Sequence, residues 1–393
     1  MNATASLLPA MDDPPLHGVR VLDAGQYIAA PAAAQTLADL GADVIKLEPA
    51  GGDASRHVGW TKDAYGPMFS AYNRGKRSVV LDLRSEAGRS QARRLALSCD
   101  VVLANARPGA LEKQGLGAAQ LMAESPRLIY GRVSAFGQQG PASIRLGFDI
   151  AAQAESGMMS LNGESDRDPV RVGFTVVDLL AANSLTTGVL ATLLRRGRTG
   201  RGGLVDLSLI DVAVCALANA WTEYHLTGQM PLRRGNGQPS AAPAADVITT
   251  RDGQIVLSAY MQEHFARLCA TIGQPHLAHD ERFATNQARV ANRPALVAVL
   301  RDALSHFDSD TIVDILAQGG IVAGTIRTMD RVQPGHAGVS ADLFTAVETP
   351  GRAPVRVPGL PFSLDGARQP AGRLPAVGEH TQQVLAELEI PQA

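Results

Sequence analysis

The sequence predicts an α/β protein, with a large doubly wound (Rossmann-like) domain and a smaller α+β domain. Three observations carry this. Strand–helix–strand runs repeat through the first part of the chain, which calls for a parallel sheet with helices on both faces. At 393 residues the chain is too long for one ordinary core. Its composition also shifts near Gly228, where breakers and then a mainly helical text begin.

Taken in order, Val19-Arg-Val-Leu-Asp23 reads as a short buried strand, Ala29 to Leu40 as an Ala-rich helix, and Gly41-Ala-Asp-Val-Ile-Lys-Leu-Glu48 as a second strand. Ser78 to Asp82, Glu86 to Leu97 and Asp100 to Ala104 repeat the pattern, and Leu128 to Val133 adds a strand. In such sheets ligands gather in the loops at the strand carboxyl ends. Phe174 to Val177 is a β-branched run that reads as extended, and the Leu/Ala-rich run to Leu194 reads as a helix, with Asp178 at the join. From these residues alone two roles stay open for Asp178. It caps the helix, the commoner use of Asp at such a join, or it is a poorly solvated carboxylate nucleophile. The ranges expected are a disordered leader over 1–15, the large domain over 16–224, the small domain over 225–325, and a segment over 326–393 that returns to the large domain.

Bulk properties exclude several functions. A net charge of -2 and 4% aromatic residues give no basic face and few stacking platforms, so nucleic acid is not an expected partner. Cys99, Cys215 and Cys269 are odd in number and far apart, which suits buried, reduced thiols in a cytoplasmic protein. The N-terminal stretch lacks the pattern of a signal peptide, and no segment reads as long enough to span a membrane.

Several motifs can be set aside. Gly75-Lys76-Arg77-Ser78 lacks the upstream glycine and the metal-binding hydroxyl of a phosphate loop, so use of ATP is not expected. Gly115-Leu-Gly117 and Gly235 to Ser240 only half-match dinucleotide fingerprints. His276 and His279 have no third ligand nearby, no metal is expected, and no Gly-x-Ser-x-Gly elbow appears. What remains is a set of polar and cationic residues in turns after strands: Arg56, Asn73, Arg74, Lys76, Arg77, Arg84, Asn105, Arg107, Lys113 and Arg145. Singly each reads as a solvated surface group. Together they suit the phosphates of a nucleotide-like carrier.

Gly18 to Asp23, Leu37 to Pro49, Gly51-Gly-Asp53, Asn73 to Val79, Asn105-Ala-Arg-Pro-Gly109, Gly147-Phe-Asp149 and Gly200 to Asp211 resemble, in order and spacing, the class III coenzyme A transferase family, the CaiB/BaiF-type acyl-CoA transferases. The resemblance runs from about Gly18 to the C-terminal helix. It implies ring-like subunits in an interlocked homodimer, with coenzyme A or acyl-CoA as co-substrate in the large domain and the active site between subunits. It assigns the nucleophile to Asp178, ten residues before Gly188-Val-Leu-Ala191. Coenzyme contacts are implied at Ile28 and Ala29, at Leu81, Asp82, Leu83 and Arg84, and at Asn105, Ala106 and Arg107, then at Lys113, Arg145 and Phe148. A glycine-rich loop over the site is implied at Gly235, Asn236, Gly237 and Gln238.

The racemases of the same superfamily use a His thirty positions before the Asp. Here that position is Phe148, which cannot accept a proton, so a two-base racemase lacks its partner. Ile28 stands where the formyl-CoA branch carries Gln, which argues against oxalate and formyl-CoA. The reading is a CoA-transferase that moves CoA from an acyl-CoA such as succinyl-CoA to a carboxylic acid, with a short dicarboxylate such as itaconate favoured. Arg56, Arg233 and Arg234 are the cations available by sequence for a distal carboxylate. The alternatives are an acyl-CoA racemase or isomerase, and a non-catalytic CoA-thioester-binding protein whose Asp178 only caps a helix.

Overall fold

Strand alternation splits the residues of the large sheet between two cores. In the computed structural model, which describes residues 13–59, 64–237, 244–259, 261–336, 338–368 and 372–389, six strands form one parallel sheet. They are β1 (Arg20–Asp23), β2 (Asp43–Glu48), β3 (Arg77–Val80), β4 (Val101–Ala104), β5 (Ile129–Ser134) and β6 (Gly203–Ser208), in the order β3-β2-β1-β4-β5-β6. This is the Rossmann order, with its reversal between β1 and β4.

The larger unit also holds α1 (Ala29–Asp39), α2 (Pro67–Tyr72), α3 (Glu86–Leu97), α4 (Ala118–Glu124) and α5 (Asp149–Glu155). After α6 (Met158–Leu161), where the unit boundary falls, come α7 (Val176–Thr199) and α8 (Leu209–Ala216), and α9 (Ala218–Thr227) crosses back over the boundary. On one face of the sheet Val21, Val101, Leu103 and Ile129 pack with Leu37 of α1 and Val177, Leu185 and Val189 of α7. On the other face Leu22, Val102, Leu128 and Tyr130 pack with Leu95 of α3 and Leu121 of α4. Gly188 lets α7 approach β6, because a Cβ there would lie 2.5 Å from Val205 Cγ1.

The smaller unit takes Met159–Arg171 as well as Ala220–Gln333, so it is not the single span 225–325 expected from composition. Its antiparallel sheet, β7 (Ala245–Thr249), β8 (Gln254–Ser258) and β9 (Val322–Thr325), carries α10 (Gln262–Thr271), α11 (Asn286–Ala291), α12 (Arg293–Leu304) and α13 (Ser309–Gln318) over a core of Phe265, Phe283, Leu296 and Ile312. From Pro334 onward the chain belongs to the larger unit, with the hairpin β10 (Phe344–Val347) and β11 (Val355–Pro358) and then α14 (Thr381–Glu387). Val384 of α14 is buried in the second core beside the residues of α3 and β3.

Three further expectations need correction, and another lies largely out of view. Phe174 to Val177 is not a strand: Thr175 is the N-cap of α7 and Val176 its first helical residue. The helix α7 is 24 residues long and apolar enough to cross a membrane by length and composition. It nevertheless buries Val177, Ala181, Leu185 and Val189 against the sheet, as a core helix does. Cys99 and Cys269 are buried but Cys215 is exposed, because the core-facing residues of α8 are Leu209 and Ala213. Of the expected leader, residues 1–12 lie outside the described residues.

Candidate active site

The loops after β1, β2, β3, β4 and β5 line one cavity of about 950 Å³ at the carboxyl edge of the sheet. It lies where the strand order reverses, the ordinary ligand position in this topology. Its lining includes Ile28, Ala29, Leu81, Asp82, Leu83, Arg84, Asn105, Ala106, Arg107, Arg145 and Phe148, and Asp178 forms part of the wall. Lys113 does not: it is exposed on a 3-10 turn whose Leu111 and Gln114 face the cavity instead.

The polar and cationic residues expected after strands divide into two sets. Arg56, Asn73, Arg74 and Lys76 are buried and committed to protein partners. Arg56 makes a bidentate pair with Glu48, Nε to Oε2 at 2.7 Å and Nη2 to Oε1 at 2.6 Å. Lys76 Nζ donates to Asp23, Pro31 O and Asn73, and burial pulls its ammonium down to about 8 against the attraction of Asp23. Arg74 pairs with Asp39, and Arg77 with Asp43 and Glu387. These charges brace the sheet edge and are not available to a phosphate.

Arg84, Arg107 and Arg145 form the second set and line the cavity. Arg84 is held by Asp82 and Arg145 by Glu155, while Arg107 is exposed and has no ion-pair partner among the described residues. Planar guanidinium groups on a cavity rim suit phosphate oxygens. Asn105 lines the same wall with its amide already engaged: Oδ1 accepts from Gln26 N at 2.8 Å and Nδ2 donates to Gln26 O at 2.7 Å. That clamp fixes the turn in which Tyr27 takes a left-handed φ of 63°, a conformation uncommon for a bulky residue. Its ring meets Phe148 edge to face, with centroids 5.8 Å apart. The sequence reading missed Tyr27, since nothing in a tyrosine signals a positive φ.

Asp178 lies in the first turn of α7, half-buried, yet it does not cap the helix. Asp149, at the start of α5, does: its Oδ2 accepts from Val177 N at 2.7 Å and from Asp178 N at 3.2 Å. Gln153 donates to Asp149 and accepts from Val172 N at 2.8 Å, which fixes that carboxylate in place. With the orphan amides satisfied from outside, the Asp178 side chain is released. Among the described residues nothing donates a hydrogen bond to it. Burial, and then the neighbouring Asp149 charge, push its carboxyl up to about 7. Burial and the Asp178 charge in turn raise the Tyr72 phenol above its usual value. A carboxylate without hydrogen-bond donors on a cavity wall is poorly solvated when ionised and therefore a strong nucleophile.

In the smaller unit, Gly235 N donates to Gly163 O at 3.0 Å, and Arg233 donates to the carbonyls of Glu164 and Arg167 at 3.1 and 2.9 Å. Gly235 has a positive φ of 58°, which favours glycine, and lies against the Glu164 carboxylate, while Gly237 lies against the Arg293 guanidinium. Asn236 lies between them, and Gln238 lies outside the described residues. No group of three or more metal-ligating side chains occurs among the described residues.

The sequence matches the family described as CoA-transferase family III over residues 16–381. It is 36% identical over 391 residues to succinate–glutarate CoA-transferase of Agrobacterium fabrum, covering 96% of each chain. It is 35% identical over 383 residues to succinyl-CoA–D-citramalate CoA-transferase of Chloroflexus aurantiacus, covering 95% of this chain and 94% of that one. The fold superposes on the crystal structure of a CaiB/BaiF family protein from Brucella suis with a TM-score of 0.86 and 35% identity, covering 96% of this chain and all of the other. A reversal-point cavity of this make-up, and matches that run nearly end to end, lead to one assignment: the chain belongs to CoA-transferase family III.

Proposed function

We propose that the protein moves CoA from succinyl-CoA to a short dicarboxylic acid such as itaconate, with Asp178 as the covalent nucleophile. The observation that carries this is the Asp178 carboxylate, set in the cavity wall with no hydrogen-bond donor among the described residues while Asp149 caps its helix. The relative named for succinyl-CoA with D-citramalate supports the donor, and it and the relative named for succinate with glutarate support the dicarboxylate class. An interlocked homodimer in the cytoplasm is part of the same proposal.

The reaction balances without ATP. The Asp178 carboxylate attacks the thioester carbonyl, the C–S bond breaks, and a mixed anhydride and CoA thiolate form. The thiolate attacks the aspartyl carbonyl of the anhydride, releasing the donor acid and leaving an aspartyl-CoA thioester. The acceptor carboxylate attacks that thioester and displaces the thiolate, which then takes the acceptor acyl group and restores the Asp178 carboxylate. Arg84, Arg107 and Arg145 are offered for the CoA phosphates, with Ile28, Ala29 and Phe148 along the cavity wall. Gly235, Asn236, Gly237 and Gln238 are offered as the loop that shields the anhydride from water.

The test is one incubation in heavy water of protein, succinyl-CoA and a panel of acids, with the thioesters read by mass spectrometry. A new thioester matching one dicarboxylic acid is the expected result. Deuterium at the α-carbon of a 2-methylacyl-CoA, with no new thioester, would overturn the proposal in favour of a racemase.

The pH profile gives a second test. The nucleophile must be ionised, so kcat/KM is expected to fall as the pH drops through about 7. Asp149→Asn removes the second cause of that raised value while its amide oxygen still accepts from Val177 N. The acid limb is then expected to move to lower pH, and a limb that stays in place would show that Asp149 does not tune Asp178.

A further inference from the structure

The strand β3 lies at one end of the sheet, so its outer amides have no neighbouring strand to bond. The segment Gly378 to Thr381 takes that place. His380 N donates to Ser78 O at 2.9 Å, and Ser78 N donates back to His380 Nδ1 at 3.2 Å. One step along, Val80 N donates to Thr381 Oγ1 at 3.0 Å, and that hydroxyl donates to Gly378 O at 2.8 Å. Two side chains thus stand in for the carbonyls of a missing strand.

The same segment reaches the end of β2. Gly378 N donates to Ser78 Oγ at 2.8 Å, and Ser78 Oγ donates to Glu48. Gly378 has a φ of 68°, a conformation that favours glycine, and a Cβ there would sit tightly, 3.1 Å from Val80 Cγ2. Leu81 N, just past β3, donates to Glu48 O at 3.3 Å. Glu48 to Gly51 and Leu81 to Arg84 are the continuations of these two strands, and both line the cavity.

We propose that His380 and Thr381 are positioning residues for acyl-CoA, setting the end of β3 and with it the Leu81–Arg84 wall of the cavity. This rests on the reading of the cavity as the acyl-CoA site. Without the strap the terminal amides of β3 lose their acceptors, the strand end frays, and the loop must be ordered by the ligand itself. Asp178 and the acceptor acid are left alone, so the effect falls on the KM of one substrate.

The experiment compares His380→Ala, Thr381→Val and His380→Asn with wild type. The oxygen of the Asn amide falls where Nδ1 accepts, so Asn keeps the bond to Ser78 N. His380→Ala and Thr381→Val are expected to raise the KM for acyl-CoA about 5- to 10-fold. The kcat and the KM for the acceptor acid stay within about twofold, and His380→Asn restores the acyl-CoA KM to near the wild-type value. If His380→Ala does not fold, the near-isosteric Thr381→Val carries the same readout. Lower melting temperatures with an unchanged acyl-CoA KM would overturn the proposal and leave the strap a structural staple. Equal rises in both KM values would also overturn it. Calorimetric titration of wild type with CoA separates the two levels: no binding at all overturns the transferase reading as well, whereas binding with unaltered variants overturns only this proposal.

Discussion

Asp178→Asn is expected to lower kcat/KM for CoA transfer by at least about 10³-fold while the protein stays folded. The amide cannot form the anhydride, and the helix does not miss the carboxylate, because the amides at the start of α7 are bonded to Asp149. The same substitution is expected to stabilise the protein at alkaline pH. The carboxyl of Asp178 is raised from 3.8 to about 7, so the folded state holds its proton more tightly than the unfolded chain does. Its ionisation therefore costs nothing below about pH 4, costs progressively more up to about pH 7, and costs a constant amount above that. After solvent screening at this half-buried position the cost is on the order of 2 kcal/mol. Thermal melts of wild type and Asp178→Asn should coincide near pH 4 and separate by several degrees at pH 8, the variant melting higher. An inactive variant that melts lower at both pH values would point to a structural role. Unchanged activity would make Asp178 dispensable.

Arg56→Ala is expected to destabilise the large unit by about 3–5 kcal/mol, because it leaves the Glu48 carboxylate buried and unpaired. Arg56 was among the cations open, by sequence, for the distal carboxylate of the acceptor, and the structure removes it from that role. Its guanidinium is fully buried, pairs with Glu48, donates to Pro375 O at 3.2 Å, and lies 3.6 Å from the centre of the Phe69 ring. Arg56→Lys should recover only part of the loss, since an ammonium cannot match the two carboxylate oxygens at once. Denaturant unfolding measures both variants. A stable Arg56→Ala protein that lost only its use of dicarboxylic acceptors would contradict this and return Arg56 to the substrate.

These two residues show what the sequence could and could not disclose. Five of the six strands of the large sheet, β1 to β5, were legible because β-branched runs alternate with helical text at βαβ spacing, and that alternation dictates a parallel, doubly wound sheet; β6 (Gly203–Ser208), which follows the long helix α7, was not read as a strand. The cavity followed from the same logic, since strand carboxyl ends converge there whatever the side chains are. Burial of charge was not legible. Asn73-Arg-Gly-Lys-Arg77 looks like a solvated turn until Asp23, Asp39 and Asp43, distant in sequence, are folded against it. The partition of the smaller unit was hidden for a similar reason, because Met159–Arg171 reads as an ordinary connection within the large domain. The use of Asp149 as the cap for a helix 27 residues further along was equally invisible, because a cap is normally sought next to the helix it serves. A β-branched Thr175-Val-Val177 favours a strand by propensity, but here tertiary packing of Val177 into the core and the outside cap carry it into a helix.

The most direct test of the covalent mechanism is to trap its thioester. Wild-type protein is incubated with acyl-CoA alone, quenched with hydroxylamine, digested, and mapped by peptide mass spectrometry. An aspartyl hydroxamate confined to Asp178, formed only when acyl-CoA is present and absent from Asp178→Asn, is the result expected. A protein that turns over its substrates yet yields no hydroxamate at Asp178 would contradict the account.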